Sequence, residues 1–216
     1  MPRVDTEILK RSFTTTPKEI SRNILDLCNE IVPGAAPIWV PVEPAPDALR
    51  GECFHNVIKM TDAKGGEILY GWKIWEWPRV FLEAEHHAVW SRGSTLLDIT
   101  PQPREGAKAL FLPDPERIYD FAKNKRIKNI KRSIGQFSSI EEMIAVTDHY
   151  SDEIEKHSVG LLSTMDPKDN ERLSYEKAQA FLRVIIDLAK ATKVNDPCIC
   201  TSGRKFKKCC RPLIEF

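Results

Sequence analysis

No run of about eighteen apolar residues occurs anywhere in the chain, which excludes a helix that crosses a membrane. Charge of one sign is lacking too. Lys and Arg total 32 against 31 Asp and Glu, a net +1, so no global field selects a polyanion. The opening M-P-R-V-D-T-E-I-L-K has no apolar core of the kind a secretory leader needs. Internal repeats and low-complexity tracts are missing, as are RNP, helix-turn-helix and KH signatures. What remains is an ordinary globular composition, 42% apolar and 29% charged over 216 residues. That length fits one domain of moderate size, or one domain plus a small appendage. The cytoplasm is the expected compartment. Six cysteines there point to metal or catalysis rather than disulfides.

Four of the six cysteines crowd into the tail, Asp196-Pro197-Cys198-Ile199-Cys200-Thr201-Ser202-Gly203-Arg204-Lys205-Phe206-Lys207-Lys208-Cys209-Cys210. Four sulfurs so close suit a closed tetrahedral site, which leaves no open position for water or substrate. Free thiols at this density would be prone to oxidation. The stretch resembles the SEC-C motif, P-C-x-C-G-S-G-K-K-[FY]-K-x-C-C, a short zinc module that closes the preprotein translocase motor subunit and decorates many bacterial proteins. The resemblance implies one structural Zn2+ per chain on Cys198, Cys200, Cys209 and Cys210. Thr201 stands where the motif has glycine, so the turn must accept a β-branched residue. Arg204, Lys205, Lys207, Lys208 and Arg211 make the knuckle basic, as a docking module would be.

A second constellation lies between Gly51 and Pro103. Residues 53–63 read as a helix ended by Gly65-Gly66. Cys53 falls in its first turn, at the positive end of the helix dipole, where a thiolate is favoured. Val80–Trp90 and Thr95–Thr100 read as a hairpin. A two-residue turn at Arg92-Gly93 pairs Trp90 with Thr95 and His87 with Asp98, and sends His86 to the opposite face. A one-residue slip would exchange the two histidines. Cys53 as nucleophile, His87 as base then acid, and Asp98 as orienting carboxylate form a set for thiol-dependent acyl transfer. The plainer reading makes Cys53 a buried hydrophobe and His87 a satisfied core histidine. The order resembles the transglutaminase-like and papain-like thiol superfamily: a Cys opening a helix, His87 before Ala88, and Asp98 before Thr100 in a D-x-T context. That resemblance implies a papain/transglutaminase-like core. The tryptophan usual two residues after the histidine is Val89 here, and Trp90 follows.

Periodicity supplies the rest of an α+β fold with an antiparallel sheet over 67–74, 80–90 and 95–100. Thr16-Pro17-Lys18-Glu19 reads as a helix start, with Ile24, Leu27 and Cys28 on the apolar face of 17–31. Ile38–Val42 reads as an edge strand because Pro41 cannot donate to a ladder. Trp72, Trp75 and Trp77 read as core, or as the wall of a substrate groove. Glu83 and Glu85 are a solvated strand face, or a second acid near His87. Ser139 is the expected N-cap of a helix over 139–160, Asp166-Pro167 a break, and 174–191 the last helix. His149 and His157 lack a partner pattern. Residues 1–14 carry little signal.

The expected division is 1–192, an α+β domain whose helical part is 138–192, and 195–213, the zinc motif. The expected function is a thiol-dependent hydrolase or acyltransferase with a protein or peptide substrate and a zinc docking tail. The other reading is a non-catalytic adaptor. It would bind nucleic acid or the ribosome through the knuckle and through Lys123, Lys125, Arg126, Lys128, Lys131 and Arg132, a run that otherwise reads as a solvated helix face.

Overall fold

The computed structural model describes residues 3–102, 106–125, 127–159 and 162–215. Its elements are β1 (Arg3–Val4), α1 (Arg22–Ile31), β2 (Ile38–Pro41), α2 (Cys53–Lys64), β3 (Glu67–Trp77), β4 (Phe81–Arg92), β5 (Thr95–Leu97), β6 (Lys108–Pro113), β7 (Ile130–Ser133), α3 (Ser138–Lys156), β8 (Ser158–Val159), β9 (Leu162–Ser163), α4 (Pro167–Ala191) and β10 (Ile214–Glu215). Among the described residues no helix is long and apolar enough to cross a membrane. The fold is mixed α+β with antiparallel sheets.

Two compact units partition the chain. One comprises Thr15–Glu76 and Leu82–Arg132; the other comprises Met1–Thr14, Trp77–Phe81 and Ser133–Phe216. In the first, the main sheet runs β2-β6-β3-β4-β5, with β7 also on β4. Strand β2 is at the edge, as Pro41 requires. Helix α2 supplies Phe54 and Val57 to a cluster with Ala88, Trp90, Ile99 and Tyr119. Val89, between Ala88 and Trp90, joins a different cluster with Val40 and Phe111, which is the period-two alternation of a strand buried on both faces. Cys28 is buried on α1, and burial pushes its thiol up to about 11.

Several expectations change. Helix α1 begins at Arg22, capped by Ser21, whose hydroxyl accepts from the Ile24 N–H. Thr15 is held instead by paired backbone bonds to Glu76, which draw 15–20 away from the helix. Asp166-Pro167 opens α4 rather than breaking the chain: Asp166 accepts from the Lys168 N–H and Pro167 takes the first helical position. Ser139 does not cap α3; its hydroxyl donates to Asp187 at 2.7 Å. Strand β6, which is absent from the expected sheet, pairs with both β2 and β3. Helices α3 and α4 build a core of their own with Trp77, Phe81 and the knuckle cysteines. Trp72 and Trp77 are core residues, and Trp75 donates to Glu85 at 2.6 Å. Glu83 faces Lys131 and accepts from Asn129. His149 and His157 are exposed.

Candidate metal centre and thiol site

Register decides the thiol site. Observed pairs are Trp90↔Leu97, Ser91↔Leu96 and Arg92↔Thr95, so the turn is Gly93-Ser94, one position later than expected. Gly93 has φ 58°. It stands first in the two-residue turn, where a hairpin turn that suits the strand twist calls for glycine. Moving the turn by one residue moves the pairing by two, and side chains alternate with a period of two. Asp98 therefore keeps its face and still meets His87. It does so from outside the β4–β5 ladder, because β5 ends at Leu97 and Asp98 bridges in parallel to Val42.

His87 Nε2 lies 3.1 Å from Asp98 Oδ2. The alignment is off, and Nε2 has no hydrogen-bond partner among the described residues, so the contact is ionic. Burial alone would push the imidazole pKa down. The carboxylate of Asp98 and the thiol of Cys53 outweigh burial and hold it up to about 10. Burial works against the Asp98 carboxylate as well, and His87 and then Lys73 overcome it, holding its pKa well below the usual range. Cys53 opens α2, which no side chain caps. Cys53 is 2% exposed, His87 4% and Asp98 0%, so all three are enclosed.

His86 is committed elsewhere. Its Nδ1 accepts from the Ile127 N–H at 3.2 Å, which leaves Nε2 to donate to the Arg117 carbonyl at 2.6 Å. Its ring lies 4.8 Å from Phe54.

Two residues near Asp98 carry no sequence signal. Lys73 on β3 donates to Asp98 Oδ2 at 2.7 Å with a side chain only 4% exposed. A lysine in an alternating strand reads as solvent-facing, yet Lys73 is buried in the fold, with β6 paired beside it at Phe111. Asn56 binds both backbone groups of Leu49 and donates to Thr100 Oγ1. Asp98 Oδ1 accepts from the Thr100 N–H, so the D-x-T spacing fixes the carboxylate. Lys73→Ala leaves Asp98 with one cation and is expected to cost roughly 3–5 kcal/mol, the scale for breaking a buried pair from one side. Urea unfolding measures it. A loss below about 1 kcal/mol, the worth of a surface pair, would mean His87 alone satisfies the carboxylate.

The second cluster is the knuckle. Cys198, Cys200, Cys209 and Cys210 are buried, with sulfurs all within 4.8 Å of one another and two pairs at 3.5 Å. Zinc–sulfur bonds of about 2.3 Å put the sulfurs of a regular tetrahedron about 3.8 Å apart, so the four thiols fit such an ion. The hairpin that presents them closes through the Cys198 N–H to the Arg204 carbonyl at 2.8 Å. Thr201 takes φ 57°, the left-handed conformation its glycine-like position demands. Its hydroxyl donates to the Phe13 carbonyl at 3.3 Å. Thr201→Gly relieves the strain at the cost of that long bond. The expected net gain is about 1 kcal/mol, seen as a rise in Tm of the metal-loaded protein. A fall would show that the hydroxyl outweighs the backbone.

The tail is not a free appendage. Its cysteines share one cluster with Ile8, Trp77, Val184 and Leu188. Trp77 Nε1 donates to the Ile199 carbonyl at 3.0 Å. Strand β1 pairs with β10. The basic run at 123–132 is partly neutralised: Lys123 pairs with Asp120, Lys131 with Glu83 and Arg132 with Glu30. Arg126 lies outside the described residues.

Residues 195–212 match the family model of the SEC-C motif. No curated protein and no solved structure matches the chain.

Proposed function

We propose that this protein is a thiol-dependent hydrolase or acyltransferase with a papain/transglutaminase-like core and a structural zinc knuckle. The observation that carries the reading is the enclosed set of Cys53, His87 and Asp98, with Lys73 balancing Asp98. Lys73 and Asp98 cancel in charge, so a proton passed from the Cys53 thiol to His87 leaves a thiolate–imidazolium pair and a neutral set. The thiolate sulfur then attacks a carbonyl carbon. Backbone N–H groups at the start of α2 would be the oxyanion donors. The intermediate collapses, His87 returns the proton to the departing amine or thiol, and water or a second amine takes the acyl group from Cys53. The substrate class is an amide, peptide or thioester.

Cys53 is 2% exposed, so a substrate reaches it only if the residues packed around it move. Ala45 packs against the cluster that holds Cys53, and its N–H donates to the Ile99 carbonyl. Zinc supplies a cross-link rather than a reaction centre, since four thiolates fill its coordination. The working division is a core over 1–192 and a docking motif over 195–213, in a cytoplasmic protein. The alternative reading, compatible with a Cys53 only 2% exposed, is an adaptor that keeps the thiol fold without its chemistry. It would present Lys205, Lys207 and Lys208, which are exposed, to a protein or nucleic acid. Alkylation of Cys53 by iodoacetamide in zinc-loaded protein separates the two. Modification faster than a free thiol at the same pH supports catalysis, and inert Cys53 supports the adaptor.

A further inference from the structure

We infer that Arg11, from the opposite end of the chain, is part of the metal centre: its guanidinium caps the sulfur face made by Cys200, Cys209 and Cys210 and holds the ion there. One nitrogen, Nη1, lies 2.8 Å from Cys209 Sγ, 3.2 Å from Cys210 Sγ and 3.9 Å from Cys200 Sγ. A nitrogen close to three sulfurs at once stands over a face of the tetrahedron, on the side away from Cys198.

The placement is built, not incidental. Residues Thr6–Lys10 form a 3₁₀ turn capped by Asp5, and the Arg11 N–H closes it on the Ile8 carbonyl at 3.1 Å. Ile8 is fully buried in the knuckle cluster. On the other side Phe13 packs 4.8 Å from Trp77 and 5.0 Å from Phe181. Arg11 is thus anchored both before and after by core residues, and the Asp5 N–H to the Leu213 carbonyl at 2.8 Å ties the strap to the end of the tail.

The chemistry follows from charge. A divalent ion with four thiolates carries a net −2, concentrated on sulfur. Charge-assisted N–H···S contacts draw that density off the sulfurs, which makes them poorer targets for protons and electrophiles. A guanidinium suits the task better than an ammonium, because its planar fork presents several donors at fixed angles. Arg204 Nη2 reaches Cys209 at 3.2 Å from within the knuckle. It is exposed and touches one sulfur, whereas Arg11 spans three.

The inference rests on the metal reading of the knuckle, and the experiment separates their failures. Full-length protein, zinc-loaded, is mixed with a chromogenic chelator, and zinc transfer is timed for wild type, Arg11→Gln, Arg11→Lys and Arg204→Gln. Hydrogen exchange over residues 3–13 is followed in parallel. Release from Arg11→Gln is expected to be about tenfold faster than wild type, the low end of effects seen for second partners of metal ligands. Arg11→Lys should fall between the two, Arg204→Gln should stay near wild type, and strap exchange should be unchanged in Arg11→Lys. Should Arg11→Gln fail to fold, Arg11→Lys keeps charge and stem; faster release with an intact strap supports the role. Wild-type release from both Arg11 variants overturns the inference alone. Equal acceleration in both with a loosened strap also overturns it, since Arg11 would then be only a structural tie. Wild-type protein without zinc removes the metal reading itself.

Discussion

Cys198→Ser or Cys209→Ser is expected to strip the metal and unfold far more than the tail. Freshly purified, reduced protein should carry one zinc per chain by elemental analysis. Read from sequence alone, loss of that ion loosens a short appendage. In the fold, the cysteines share a hydrophobic cluster with Ile8 near the start of the chain, Trp77 at the end of β3, Phe81 at the start of β4, and Ile140, Val184 and Leu188 from α3 and α4. Apparent zinc-binding free energies in finger peptides are about 10–16 kcal/mol and serve as folding energy there. Here the helices have other contacts, so a loss of roughly 5 kcal/mol or more is expected, comparable to the whole stability of a marginal domain. Thermal melts of zinc-loaded and variant protein measure the size, and hydrogen exchange measures the extent. Exchange should rise in α3, α4 and residues 3–13. Change confined to 195–213 would show that the shared cluster holds without the metal, and absence of zinc would remove the centre altogether.

His87→Ala should slow alkylation of Cys53 by an order of magnitude or more, on the scale of a lost general base, while His86→Ala should leave it within about twofold. His86 holds the Arg117 carbonyl and the Ile127 N–H. Its loss therefore shows as stability, about 1–3 kcal/mol for groups left unsatisfied. Equal slowing by both variants would mean the histidines share the role; no slowing by either would hand the site to the adaptor reading.

The same pair sets a pH window. His87 binds its proton more tightly folded than unfolded, with the value raised from 6.5 to about 10. Its contribution is present in full below 6.5 and is lost as pH rises through about 10. Asp98 is shifted down, so its contribution is present above the ordinary carboxylate range and is lost as acid protonates it. Chemical denaturation between neutral pH and pH 10.5 should therefore show wild-type stability falling more steeply than that of His87→Ala. Parallel slopes would mean His87 is neutral in the fold.

The sequence by itself picked out the residues of both clusters. Four cysteines at the spacing of 198, 200, 209 and 210 were legible as a cluster that could hold a metal ion, because local chain geometry gathers them within fifteen residues. Helix α2 was legible because Cys53 opens an amphipathic stretch that Gly65 ends with φ 72°. The face shared by His87 and Asp98 was legible because strand side chains alternate with period two, so even a turn misplaced by one residue kept it. Tertiary structure alone decided what sits against those residues. Lys73 is a strand lysine by its local pattern, and its bond to Asp98, twenty-five residues later in the chain, exists only in the folded protein. Thr16-Pro17 reads as a helix start and Asp166-Pro167 as a break, yet the backbone bonds of Thr15 to Glu76 hold the first out of the helix while the second opens α4. Arg11 lies nearly the whole chain away from Cys209, in a segment without any pattern, and no local rule links them. Only the pairing of β1 with β10 and the burial of Ile8 and Phe13 carry that guanidinium to the sulfurs. Contacts made across such separations depend on how the core closes, which short-range periodicity does not encode.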